Sequence, residues 1–169
     1  MEILEYVRLQ MANMRRTVDM TMKDVSVEQF NWAPPGTMNT ISATFIHLTS
    51  VEDHFIQGIL QGKPGVWEAQ GWSEKTGVKK APAIGESWDE FKHLHLQPAA
   101  LLEYQKAVWA ATDAYLADLT AENMDRKVKL GTREMTAAEL LIMAIHQSLS
   151  HTGEIAALKG IQGAKGLPI

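Results

Sequence analysis

Apolar residues recur three and four positions apart along four stretches of the chain, and this repeat most narrows the folds open to it. In the first stretch, about Glu2 to Asp24, the residues Ile3, Tyr6, Val7, Met11, Met14 and Val18 form one apolar stripe. The methionines there, Met11, Met14, Met20 and Met22, read as core filler rather than as a binding surface. The second stretch, about Asn39 to Gln61, carries Ile41, Phe45, Leu48, Val51, Phe55 and Ile59. Asn39 or Thr40 caps it, and Gly62, Pro64 and Gly65 stop it. The third begins after Ser87, which has a capping-box spacing to Glu90, and runs to Leu119. Pro98 marks a kink or a fresh start within it, because proline is tolerated in a first turn and not in a helix interior. The fourth runs from a Thr136–Glu139 capping box to about Lys159, ahead of Gly160. Four such segments with few strand signals predict an all-α four-helix bundle with a long loop between its second and third helices. At 169 residues the chain is expected to form one domain, 1–169, large enough for a self-sufficient core.

The connections carry further information. Pro34, Pro35 and Gly36 break the segment from Ser26 to Thr37. The stretch from Lys63 to Gly85 is long for a loop and is expected to be functional or to contain short helices. Trp67, Trp72 and Trp88 either form a lid over a pocket or seal one end of the core, the second being the favoured reading. Lys127 to Leu130 alternates and reads as a short extended piece or tight turn, short of a real sheet.

Composition removes several kinds of chemistry. The absence of cysteine excludes a disulfide framework, a thiolate zinc site, an iron–sulfur cluster and a cysteine nucleophile. A net charge of −4 argues against a nucleic-acid partner held by phosphate contacts. Glu2, Glu5 and Arg8 interrupt the start, so it does not read as a signal peptide. No run approaches the ~18 apolar residues of a membrane span, so no membrane partner and a cytoplasmic location are expected. Phosphate-binding glycine loops, a GxSxG elbow and a His-Glu-x-x-His zinc motif are all absent.

The histidines are then the place to look. His47 lies mid-way along the second helix beside its apolar face, and His54 is about 10 Å further along the axis, too far to share one ion. At 100° per residue, Leu140, Ala144, Gln147, His151, Ile155 and Leu158 fall within about 40° of one line on the fourth helix. His151 therefore sits in the core stripe beside Gln147, while His146 lies about 140° away from it. An inward imidazole needs a partner, because an unpaired buried polar group is costly. Two readings stay open: a hydrogen-bonded core histidine, or a ligand in a metal or cofactor site built from facing helices. His93 and His95 read as surface or loop residues. Glu154 reads as a helix-rim contact, or as a carboxylate orienting His151.

Around these residues the chain resembles the DinB-like superfamily, the DNA-damage-inducible DinB and bacillithiol-transferase-like four-helix bundles. The resemblance is carried by NWAPPGTMNTISATFIHLTSVEDHFIQGIL, by AVWAATDAYLADLTAENMDRKV and by HTGEIAALKGIQGAKGLPI, and it spans nearly the whole chain. The last piece is similar to the family's His-x-Gly-Gln/Glu signature. The resemblance implies a divalent metal, zinc or nickel, held by one histidine on the second helix and two spaced by four on the fourth. Carried over, His47 and His151 match the outer ligands, and Gln147 stands where the middle histidine is expected.

Three arrangements meet this departure, in order of expectation. The site is degenerate or binds metal weakly; Gln147 ligates through its side-chain oxygen; or a one-residue bulge swings His146 inward. The function implied is a metal-dependent thiol S-transferase joining a low-molecular-weight thiol to a small-molecule electrophile, in detoxification or stress. The alternative is a non-catalytic bundle acting as a binding or structural module. A homodimer is the expected assembly.

Overall fold

In a computed structural model the described residues are 2–82 and 84–167. Met1, Ala83, Pro168 and Ile169 lie outside them, and with them one residue of the long connection and the last two of the expected tail. The described chain is mostly helical. The stripe predicted from Glu2 forms α1 (Ile3–Met22), which buries Val7, Met11, Met14, Val18 and Met22. Met20 departs from the expected core role, at 39% exposure, because it falls off that stripe.

A short helix, α2 (Val27–Asn31), interrupts the segment expected to be only a breaker. Its signal was present in the sequence: Ser26 and Gln29 form a reciprocal capping box. The second predicted helix starts as α3 (Ile41–Asp53), with Thr40 Oγ1 accepting from the Ala43 N–H at 3.1 Å. Nearly all of α3 is buried, so it is a central helix rather than a half-exposed one. From His54 to Leu60 it continues as a π-helix. Each π turn takes one residue more than an α turn, so the apolar phase slips. Ile56 is fully buried in consequence, and Ile59, expected inside, is half-buried.

The long connection contains α4 (Val66–Ala69) and α5 (Trp72–Thr76). Trp67 and Trp72 seal the core, their ring centroids 5.0 and 5.5 Å from that of Tyr104. The Ser87–Glu90 capping box does not form; a 3-10 turn over Asp89–His93 follows instead, and α6 (Pro98–Asp118) makes a fresh start with Pro98 in its first turn. After α7 (Ala121–Met124) comes a correction. The KVKL segment is a true strand, β1 (Lys127–Leu130), paired antiparallel with β2 (Arg133–Thr136). Gly131, at φ +60°, supplies the turn. Val128 and Met135 lie opposite each other and are both buried, so a single cross-strand pair docks the hairpin.

The last helix, α8 (Ala137–Ile161), packs against α1 and α3, and α3 packs also against α6. Its Thr136–Glu139 capping box forms as predicted, with Thr136 Oγ1 accepting from the Glu139 N–H at 3.1 Å and Glu139 Oε2 accepting from the Thr136 N–H at 2.6 Å. Thr136→Ala should therefore cost about 1 kcal/mol. Urea unfolding checks this as a lower midpoint at an unchanged slope. No described helix is long and apolar enough to cross a membrane.

Candidate site at the paired histidines

The packing of α3 on α8 brings His47 and His151 together, with ring centroids 5.0 Å apart and planes nearly perpendicular. Each imidazole is anchored by its Nδ1. That of His47 lies 2.9 Å from the Pro82 carbonyl oxygen. A carbonyl only accepts, so His47 Nδ1 carries the hydrogen and Nε2 keeps its lone pair. The Ser50 hydroxyl donates to the same carbonyl at 3.1 Å, so the connection before the 3-10 turn is strapped across α3. His151 Nδ1 lies 2.9 Å from Glu154 Oε2, one turn along α8. Glu154 thus orients His151 while half exposed at the rim.

Trp88 lies over the pair, its ring centroid 4.0 Å from that of His47 and 5.7 Å from that of His151. Of the tryptophans in question, this one covers a site while the other two fill the core. Burial pushes the His47 pKa down to about 4, the neighbouring His151 adds to this, and the Pro82 carbonyl opposes it. The hydrogen bond from His151 holds the Glu154 carboxyl below its usual range. At neutral pH, then, His47 is an uncharged imidazole beside an anionic rim.

Gln147 is half-buried, and its Nε2 is buried with no hydrogen-bond partner among the described residues. Turning the amide over exchanges its oxygen and nitrogen. His146 is exposed and lines a separate groove with Ile3, Tyr6 and Met124. α8 is a continuous α-helix through this region, so no bulge turns His146 inward. His54, His93 and His95 are exposed and apart from the pair.

No group of three or more His, Asp or Glu residues among those described is placed to hold a metal ion. The anchoring of both Nδ1 atoms leaves the two Nε2 atoms as donors, and Gln147 lies four residues before His151 on the same helix. Two neutral imidazole nitrogens are ligands of a kind that suits a divalent ion, and they are a sparser set than three histidines. Sequence reasoning missed the Pro82 carbonyl and Ser50, since a backbone acceptor reached across 35 residues leaves no pattern in the chain.

Fold and site together define a helical protein with an anchored histidine pair between two of its long helices. The family model described as DinB superfamily matches residues 10–155, and the chain belongs to that superfamily. Among solved structures, a conserved protein from Enterococcus faecalis is similar at a TM-score of 0.83 and 18% identity, over 96% of this chain and 99% of that one. A DinB-like protein from Bacillus subtilis is similar at a TM-score of 0.60 and 15% identity, over 97% and 96%. At such identities the likeness is one of fold. No curated protein matches the sequence.

Proposed function

We propose that this DinB-superfamily chain, a single-domain four-helix bundle, binds a divalent metal, zinc or nickel, and uses it to activate a low-molecular-weight thiol for transfer to a small-molecule electrophile in detoxification or stress. The observation that carries this reading is the anchoring of both Nδ1 atoms, one by a carbonyl and one by a carboxylate. Metal-ligating histidines are held in this way, with the other ring nitrogen left for the ion.

His47 Nε2 and His151 Nε2 would hold the ion, with the Gln147 amide as third protein donor. A divalent ion at such a place lowers the pKa of a bound thiol, so that the nucleophilic thiolate exists near neutral pH. The chain's own contribution is positional. Pro82 and Glu154 fix ring orientation, and Trp88 keeps water from the rings. With a pKa of about 4, His47 offers its lone pair without competition from protons at neutral pH.

The test is titration of the chelator-stripped protein with zinc, nickel and manganese, read by calorimetry and by metal content. One ion per chain is expected. His47→Ala and His151→Ala should each weaken it by at least about tenfold, the lower end of what loss of even an outer partner costs. Gln147→His should tighten it. A wild-type chain that takes up no ion would overturn the reading.

That result would favour a non-catalytic binding or structural module. Gln147 at the middle ligand position and the closeness of Trp88 to His47 are the observations on that side. A homodimer accords with either reading, since Ile3 and Tyr6 of α1 and Ile142 of α8 are exposed.

A further inference from the structure

A second cavity, of about 590 Å³, lies on the other side of the Pro82 strap and shares Ser50 and Pro82 with the histidine site. Its volume is in the range of small-molecule sites. Pro64, Ala81 and Ile84 give it accessible apolar surface over the buried Trp67 and Tyr104, and charged groups of both signs stand on its wall.

Most of those charges are already engaged. Asp53 accepts from the Val66 and Trp67 N–H groups and from the Tyr104 hydroxyl. Lys80 pairs with Glu86, and Lys63 donates to Gln61. Glu68 and Lys79 differ: neither side chain makes a hydrogen bond or ion pair with any described residue, they do not pair with each other, and the Glu68 carboxylate instead stands near that of Asp53, whose pKa it helps to raise. Both carboxylates border the space over Gly65, where a Cβ would come within 2.8 Å of Glu68 Oε2 and 3.0 Å of Asp53 Oδ2. Opposite charges on one cavity wall, each without a partner and not within reach of one another, match a ligand that carries both charges at separated points.

We propose that this cavity binds an amino-acid-like or peptide-like zwitterion, its ammonium group on Glu68, its carboxylate on Lys79 and its body along the apolar wall of Pro64, Ala81 and Ile84. The site goes beyond the metal reading and does not require the ion.

The experiment is calorimetric titration of the full, chelator-stripped chain with triglycine, N-acetyl-triglycine and triglycinamide, which carry both charges, only the negative one and only the positive one. Triglycine should bind about tenfold more tightly than either analogue. Glu68→Gln should abolish its advantage over the acetylated form, and Lys79→Gln its advantage over the amide. Both side chains are exposed, and circular dichroism confirms that the variants fold. No saturable binding of triglycine up to about 10 mM, equal affinity for all three probes, or variants indistinguishable from wild type would each overturn the proposal. Metal titration of the same variants should match wild type, so failure here is separable from failure of the metal site.

Discussion

Asp53→Ala should lower the unfolding free energy by about 3–4 kcal/mol and the melting temperature by about 10 °C. The carboxylate sits at the end of α3 and accepts three hydrogen bonds, from Val66 N at 2.8 Å, Trp67 N at 3.0 Å and the Tyr104 hydroxyl at 3.0 Å. It thereby joins the central helix to α4 and to α6. Removing it strands buried donors, each worth about 1–3 kcal/mol when left unmet. Part of this is returned, because burial also raises the Asp53 pKa and so penalises the charged form. Asp53→Asn keeps one acceptor oxygen and should fall between alanine and wild type. Scanning calorimetry and urea midpoints measure the series. A loss below about 1 kcal/mol for alanine would mean that water replaces the carboxylate.

Acid should destabilise the metal-stripped protein through His47 as the pH falls below 6.5. His47 has a folded-state pKa of about 4 against an ordinary value of 6.5. Between those values the unfolded chain takes up a proton that the folded chain refuses, so stability falls as pH drops from 6.5 towards 4. Above 6.5 the contribution is fully present; the gap amounts to about 3 kcal/mol. The groups facing this ring are His151, which lowers its pKa, and Glu154, which raises it. His47→Gln should flatten that part of the stability profile. A His47 resonance titrating near 6.5 in nuclear magnetic resonance would contradict the expectation.

Long-range periodicity made the helices legible. The Thr136–Glu139 box and the stripes of α1 and α8 were readable because local chemistry and tertiary burial agree there. The hairpin was not, because a lone Val128–Met135 pair is too short a period-2 signal to stand out before pairing is known. α2 was hidden by the prolines that follow it, although its Ser26–Gln29 box was in view. At the site, the phase of α8 separated His151 from His146 correctly, as an unbroken helix must. Trp88 could be named as a candidate cover, but its choice of His47 over the Tyr104 cluster depends on how a connection of some twenty residues folds back.

The π-helical turns from His54 to Leu60 set a limit on comparing this chain with its relatives by counting. Up to Asp53, a residue n positions from His47 lies where ordinary helical geometry puts it. Beyond that point the backbone holds an extra residue per turn, and a relative whose helix stays regular would place its equivalent side chains one position out of step. Alignments anchored on His47 thus hold for the histidine pair and drift for the face that meets the hairpin. α8 has no such offset, so counting back four residues from His151 reaches the same helical position here, at Gln147, as in any relative whose last helix is regular.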